Sequence, residues 1–600
     1  MKRFYHRSLK LLSVMLAMMV TAAGTGTGEP VQRIAVEQIA FDGISAFDEN
    51  RLLSVMVTRP SGKFRKNYYN DEILNEDLRS LELFYHQNGY LDAKITSHHV
   101  AIDSIASRAR INISITEGEC TYFEGISLLG NEVFSDNLLL ERISFSPGEA
   151  FSQRKINDST LSLLTFYANN GYLDAEVRPD IRFTEESYRA LVDYTINEHS
   201  QSTIGEITIQ GLEKTNEEVI LRELLFRPGE VVNYSKLIES QQNIYLTGLF
   251  ESVYIRPQVS AVADSTSRNI LITVSENLAG EFNVAVGYGS VDRTRSKIEL
   301  FNNNLAGTSR KLGMVGRISF IQRGIETSFS SPWTLGRPVN MDITTLMENR
   351  FEPGYDLARI GTRVAFGRRF TVNKVVIAYR LERVSLSNIK VDVIPDAVKS
   401  NTNSIKLSFI HDTRDNLFNA TRGNYFEMGN EVGMFYGNGK TGFYRFTGMA
   451  KLFKQVSLET VVGTAFELGL MLIDGGFERI PLHERFYTGG PNSLRGFPYE
   501  KVGPLNEKNV PTGGSLKFVW NVVEVRRRIY RMFGMAVFFD VGNVWPDTNT
   551  IRFADIRMSP GTGLQINTPI GLIRLDYGFN IDKRKGESPG QISFNMGQAF

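Results

Sequence analysis

The C-terminal half of the chain, residues 280–600, alternates apolar and polar residues with a period of two. The segment EFNVAVGYG has one apolar face, formed by Phe282, Val284, Val286 and Tyr288. VIAYRLE and LIRLDYGFN repeat the alternation, and the chain ends on a similar segment, GQISFNMGQAF. A soluble β-sandwich rarely sustains this alternation over about 320 residues. The pattern therefore predicts an all-β transmembrane barrel of about 16 antiparallel strands, with charged side chains facing the lumen.

The N-terminus predicts export from the cytoplasm. A basic stretch, MKRFYHRSLK, precedes the apolar run LLSVMLAMMV, and small residues follow, as in a secretory signal peptide covering residues 1–23. No later apolar run reaches the length of a transmembrane helix, so a membrane location would require a closed barrel. The single cysteine, Cys120, allows no internal disulfide, and a net charge of +1 gives no general attraction to nucleic acid.

Three repeats precede the barrel. NGYLDAKI at residues 88–95 recurs as NGYLDAEV at 170–177 and, more loosely, as TGLFESVYI at 247–255, a spacing of about 80 residues. Each unit has the pattern strand, helix, helix, strand, strand, so we expect three α+β units of βααββ type, each resembling a POTRA domain. The predicted boundaries are 32–118, 119–199 and 200–277, followed by the barrel at 280–600. Such a sheet exposes an edge strand that could bind an extended client, although a rigid spacer is an alternative.

A glycine-rich loop, GGPNSLRGF at residues 489–497, carries a single arginine, Arg495. If barrel strands flank this loop, Arg495 points into the lumen, where a charge needs an opposite partner. The candidate partners are Glu524 in NVVEVRR and Asp540 in FFDVGNVW. Strict alternation from Leu516 would turn Glu524 toward lipid unless a bulge shifts the register. Taken alone, the loop could also be an ordinary surface turn.

Four barrel motifs together resemble the BamA/TamA family of outer-membrane protein assembly barrels. They are GGPNSLRGF, FFDVGNVW, the closing segments GTGLQINTPIGLIRLDYGF and FNMGQAF, and HDTRDNLFNATRGNYFEMGNE at 411–431, in which Ala420 replaces a usual proline. The resemblance implies that the family's inward-folded loop is formed here by Gly489, Gly490, Arg495, Gly496 and Phe497. It also implies that Asp540 is the acidic partner of Arg495.

The same resemblance implies a function in assembling and inserting β-barrel proteins in the bacterial outer membrane, with the POTRA domains in the periplasm. A seam between the first and last barrel strands would open sideways to template client strands. Its expected residues are Phe282, Val284, Val286, Ile592, Phe594 and Phe600. The expected partners are unfolded outer-membrane proteins, outer-membrane lipids and, further, accessory lipoproteins or an inner-membrane TamB-like protein, but no nucleic acid.

Other functional classes fit the sequence less well. A two-partner secretion pore, which would pass its client through the lumen, resembles this chain in the arginine loop but typically has two POTRA units and a plug helix. A passive porin would not need three periplasmic modules. The sequence has no G-x-S-x-G elbow, no P-loop and no Cys/His metal spacing, so we expect neither an enzyme nor a cofactor. We expect structural roles for HDTRD and for His98 and His99.

Overall fold

The structure is a computed structural model. It describes residues 34–62, 66–184, 188–258, 266–392, 398–417, 419–436, 440–568 and 571–596. The predicted signal peptide and Phe600 therefore lie outside the described residues.

The N-terminal region contains three βααββ units, as predicted. The first comprises β1 (Ala35–Asp42), α1 (Glu49–Val55), α2 (Asp71–Gln87), β2 (Lys94–Asp103) and β3 (Arg108–Thr116). The second comprises β4 (Tyr122–Leu129), α3 (Asp136–Leu140), α4 (Gln153–Asn169), β5 (Glu176–Thr184) and β6 (Arg189–Asn197). The third comprises β7 (Thr203–Gln210), α5 (Glu218–Leu221), α6 (Tyr234–Leu246), β8 (Phe250–Pro257) and β9 (Ser267–Glu276).

In each unit the last strand in sequence is the central strand of the sheet. The three orders are β1-β3-β2, β4-β6-β5 and β7-β9-β8, and the first strand runs parallel to the central one in the first two units. Ile111, Ile113 and Ile115 line the buried face of β3, as their spacing of two requires. His98 and His99 lie on the exposed edge strand β2. The sheet order therefore leaves β2 and β5 at sheet edges.

In each unit, a glutamate at the end of the central strand accepts hydrogen bonds from backbone N–H groups that follow the first strand. Glu117 accepts backbone N–H groups of Ser45 (3.0 Å) and Ala46 (3.1 Å), and the Tyr85 hydroxyl donates to it (2.8 Å). Burial alone would raise the pKa of Glu117, but the hydrogen bonds from Ser45, Tyr85 and Ala46 outweigh burial and lower it. The same arrangement recurs at Glu198, with Tyr167 as the hydroxyl donor, and Glu276 likewise accepts backbone N–H groups in the third unit.

Sixteen antiparallel strands close into a barrel, as predicted. Its first eight strands are β10 (Gly280–Gly289), β11 (Arg293–Leu305), β12 (Arg310–Ile318), β13 (Gln322–Ser331), β14 (Asn340–Glu352), β15 (Tyr355–Phe370), β16 (Asn373–Ser387) and β17 (Lys399–Asp412). The last eight are β18 (Gly423–Tyr436), β19 (Lys440–Ser457), β20 (Thr460–Ile473), β21 (Leu516–Tyr530), β22 (Phe533–Trp545), β23 (Arg557–Thr568), β24 (Gly571–Phe579) and β25 (Gly590–Met596).

The two faces of the barrel wall differ as the alternation predicts. Most outward side chains are apolar and exposed, whereas inward positions carry ion pairs such as Arg317 with Glu326 (2.8 Å). The HDTRD motif lies at the end of β17, where the Arg414 guanidinium binds Asp412 (2.7 Å). Among the described residues, none of the helices has the length and apolar character needed to cross a membrane.

The glutamate at the end of the central strand gives a first prediction. Glu117→Gln should speed amide hydrogen exchange at Ser45 and Ala46, because a neutral acceptor weakens bonds that contribute about 2 kcal/mol when the acceptor is charged. Glu119→Gln is the control, since Glu119 is exposed on the same turn. Because the folded-state pKa of Glu117 is lowered, its contribution is present above the ordinary glutamate pKa and is lost as the pH falls below it. Equal exchange rates in the two variants would show that the Glu117 carboxylate does not protect the Ser45 and Ala46 amides.

Candidate functional site

The segment between β20 and β21, residues 474–515, forms a long loop that carries the GGPNSLRGF motif. Gly489 and Gly490 adopt φ of +109° and +104°, a region that side-chain-bearing residues rarely occupy. Gly496 lies against the wall, where a Cβ atom would come within 2.5 Å of the Phe579 carbonyl oxygen. The glycines therefore allow the loop to turn and to lie directly on the inner face of the barrel.

Arg495 is buried and binds both predicted carboxylates. Its Nε and Nη2 donate to the two oxygens of Asp540 at 2.8 and 2.7 Å, and its Nη1 binds Glu524. Its guanidinium also lies 3.3 Å from the centroid of the Phe538 ring. Burial alone would lower the pKa of Arg495, but Asp540 and Glu524 raise it above its usual value. The guanidinium is thus permanently charged, and it is paired with carboxylates on the neighbouring strands β21 and β22.

Glu524 faces the lumen because β21 is irregular. The pairing of β21 with β22 shifts between Asn521 and Val523. The extra residue on β21 moves the side chains that follow it to the opposite face of the wall from the one that strict alternation gives. Trp520 therefore remains 41% exposed on the outer face, while Glu524 turns inward and binds Arg495 and Arg574 (2.8 Å). The bulge that an inward-facing Glu524 requires is therefore present in β21.

Phe497 is buried beneath the loop. It packs with Leu494, Val502 and Val519, and the Arg557 guanidinium of β23 lies 4.7 Å from its ring centroid. The apolar side of the motif therefore packs against the wall beside the ionic contact of Arg495, and both hold the same stretch of loop.

A second ionic contact at the start of the loop was not predicted. Glu484 is buried and binds the guanidinium groups of Arg380 on β16 (2.9 Å) and Arg445 on β19. Glu431 on β18 also binds Arg380 (2.8 Å). Burial alone would raise the pKa of Glu484, but Arg445 and Arg380 hold it well below its usual value. The available signal was Arg380 itself, an inward charge in VIAYRLE that required a partner.

The same corner contains the possible metal ligands found among the described residues. Ligand atoms of Glu382, His483 and Glu484 lie within 4.8 Å of one another. Arg380 and Arg445 already bind the Glu484 carboxylate, so a cation would have to displace them. The donor set therefore fits an ion-pair network better than a metal centre.

The predicted seam residues that the structure describes lie on the expected strands. Phe282, Val284 and Val286 face outward on β10, Ile592 is exposed on β25, and Phe600 lies outside the described residues. Among the described residues, β10 and β25 pair at Tyr288 with Met596 and at Gly289 with Asn595. Phe594 instead lies against Tyr288, with ring centroids 6.0 Å apart. The residues after Met596 lie outside the described range, so pairing along Phe282 to Val286 stays a prediction.

Comparisons with known proteins agree with this architecture. A sequence model of the Omp85 superfamily domain matches residues 304–600, and a POTRA model, described as a surface antigen variable number repeat, matches 34–118, 121–199 and 202–277. The outer membrane protein assembly factor BamA of Nitratidesulfovibrio vulgaris is 23% identical over 95% of this chain and 74% of its own length. BamA of Neorickettsia risticii is 24% identical over 94% of this chain and 78% of its own length.

A solved structure shows the same fold. BamA from Haemophilus ducreyi, crystallised without POTRA domains 1–3, superposes with a TM-score of 0.67 at 18% identity. The match covers 80% of this chain and all of that structure.

Breaking the Arg495 contact should destabilise the barrel. Arg495→Ala leaves Asp540 fully buried without its cationic partner, which is expected to cost about 3 to 5 kcal/mol. Arg495→Ala and Asp540→Ala should lower, by similar amounts, the temperature at which the barrel loses its heat-modifiable gel mobility. Arg479→Ala, at an exposed position in the same loop, should leave that temperature unchanged.

The double variant tests whether the two residues act together. Arg495→Ala with Asp540→Ala should be no less stable than either single variant, because each single change already breaks the contact. Losses that simply add would mean that Arg495 and Asp540 contribute independently.

Proposed function

The chain belongs to the Omp85 superfamily, and we propose that it assembles β-barrel proteins and inserts them into the outer membrane. It is an outer-membrane protein with its POTRA domains in the periplasm. The proposal is supported by the combination of three POTRA units and a 16-stranded barrel with relatives named as outer membrane protein assembly factors.

The single observation that carries the mechanism is the topology of the seam, where the first strand of the barrel pairs with the last. In the described strand order, other neighbours such as β15 and β16 are consecutive in the chain, whereas β10 and β25 are joined by no turn. The described pairs of β10 and β25 are Tyr288 with Met596 and Gly289 with Asn595. Gly289 supplies one of these pairs and adds no side-chain contact. Separating β10 from β25 would therefore open the wall without parting two strands that a turn holds together.

An opened seam would offer two unpaired strand edges to a client. Unpaired backbone groups are costly in lipid, so a client strand that pairs with the edge is stabilised at once. The client's own folding then drives insertion and release, while the barrel lowers the kinetic barrier. This process requires no nucleotide, catalytic residue or cofactor.

The POTRA units would receive clients before insertion. The edge strand β2 is largely exposed, and backbone groups on such an edge can bind an extended chain by strand addition. Unfolded outer-membrane proteins are the clients proposed for this edge. Accessory lipoproteins and an inner-membrane TamB-like partner remain predictions from the family resemblance.

The third unit contributes contacts to the periplasmic turns of the barrel. The Trp333 indole N–H donates to Glu223 (2.7 Å), and Arg222 lies 5.6 Å from the centroid of the same ring. Asn304 donates to the Thr215 hydroxyl at 2.8 Å. These segments belong to one compact unit with the barrel, so this part of the third unit would act together with it.

Locking the seam should stop assembly. In a Cys120→Ser background, cysteines at Gly289 and Asn595 occupy registered positions, and a Cβ atom at Gly289 would lie 3.3 Å from the Asn595 side chain. The oxidised protein should stay folded in the membrane but fail to insert a client barrel into proteoliposomes, and reductant should restore insertion.

The matched control is a cysteine pair at Thr345 and Thr362, which are registered across β14 and β15. Oxidation there should leave assembly intact, because that boundary stays closed in the proposed cycle. Full activity with a quantitatively crosslinked seam would reject sideways opening and favour a pore that passes its client through the lumen.

The third unit should matter more than the first. Deleting residues 34–118 should leave partial assembly, whereas deleting residues 202–277 should abolish it, since only the latter removes Thr215, Arg222 and Glu223. Trp333→Phe removes the N–H donor alone and should reduce assembly without lowering the amount of folded barrel. Equal tolerance of both deletions would mean that the units act as spacers.

A further inference from the structure

The outer surface of the barrel wall carries a groove of about 790 Å³ across strands β11 to β16. Two registered rows of outward side chains line it. The upper row is Ser296, Ile318, Arg323, Asn349, Ala358 and Ser385. The lower row is Ile298, Gly316, Ile325, Met347, Ile360 and Arg383. The groove therefore has a largely polar upper row and a lower row that is apolar up to Arg383 at its end.

Small residues create the depression. Gly316 has open space where a Cβ atom would be, and Ala358 and Ser385 are short. The bulkier Ile325, Met347 and Ile360 are 54%, 59% and 46% exposed along the lower row. Exposed apolar side chains around a trough suit acyl chains.

The height of the groove in the membrane follows from chain direction. The barrel begins directly after the periplasmic POTRA units, so β10 starts at the periplasmic side and β12 ends at the outer side. The groove adjoins the turn between β12 and β13, where Ile318 pairs with Arg323. Its upper row therefore lies at the headgroup level of the outer leaflet. The apolar side chains of its lower row lie among the acyl chains, and the long side chain of Arg383 can extend from that row toward the headgroups.

The two outward arginines give the groove its charge. Among the described residues, no carboxylate forms a salt bridge with Arg323 or Arg383, whereas the inward Arg317 and Arg359 are paired with Glu326 and Glu348. Asn401 accepts from the Arg383 Nε (3.0 Å), which leaves the terminal nitrogens of that side chain available, and Arg323 lies over Phe351. One guanidinium group can donate two parallel hydrogen bonds to the oxygens of a phosphate, so this arrangement favours a phosphorylated headgroup.

We propose that this groove binds a phosphorylated, multiply acylated lipid of the outer leaflet, with phosphates on Arg323 and Arg383 and acyl chains on the apolar side chains of the lower row. Three strand spacings separate the two arginines, roughly 14 Å, so one headgroup with two phosphates or two adjacent headgroups could reach both. The site requires only the outer-membrane location and does not depend on the proposed assembly function.

Native mass spectrometry of the full-length protein with bis-phosphorylated lipid A would test the site. The double variant Arg323→Ser with Arg383→Ser should bind lipid A about tenfold more weakly, because two charge-assisted contacts are lost. Gly316→Leu should also weaken binding, because it fills the trough while keeping both charges. Arg368→Ser is the matched control: Arg368 is exposed on β15, lies 4.9 Å from the Phe370 ring and is at the opposite end of the wall.

The remaining outcomes separate the possible ligands. Dephosphorylated lipid A should bind the wild-type protein about as weakly as lipid A binds the double arginine variant, and millimolar inorganic phosphate should not displace lipid A. Unchanged binding by the arginine variant, or an equal loss in Arg368→Ser, would overturn the site. Equal affinity for the dephosphorylated lipid, or displacement by free phosphate alone, would overturn its assignment to a phosphorylated lipid. Heat-modifiable gel mobility would confirm that each variant is folded.

Discussion

The interior of the barrel depends on the ion pairs that the buried guanidinium of Arg495 forms. A charge removed from water must be paired, and Asp540 and Glu524 supply the partners from adjacent strands. Pairing requires the loop backbone to lie against the wall, where Gly496 and Gly578 allow an approach that a Cβ atom on either residue would block. One electrostatic requirement thus explains the arginine, its carboxylates and the glycines around it.

Local rules made much of this fold predictable. A period of two marks strands with one lipid face, and the recurrence of NGYLDA at about 80 residues marks the βααββ units. The need to neutralise a luminal charge made Asp540 and Glu524 candidate partners of Arg495, and the family resemblance singled out Asp540. Glu524 was ambiguous because its side of the wall depends on a bulge between Asn521 and Val523, which alternation cannot locate.

Features that depend on barrel closure were not predictable. Glu484 binds Arg380 at a separation of 104 residues and Arg445 at 39, and no local pattern brings these residues together. The described seam pairs are Tyr288 with Met596 and Gly289 with Asn595, a register that alternation does not give because it depends on the stagger of the closed barrel. Sequence alternation fixes which way a side chain faces but not this stagger.

The positions of the ionic contacts explain how a stable barrel could still open. The loop is bound through Glu484 to β16 and β19 and through Arg495 to β21 and β22. The seam lies between β10 and β25, and its described pairs involve none of these salt bridges. Separating β10 from β25 therefore leaves the buried charges paired. In the proposed cycle, the energy required is that of the backbone hydrogen bonds and side-chain contacts at the seam, which a client strand would replace one by one.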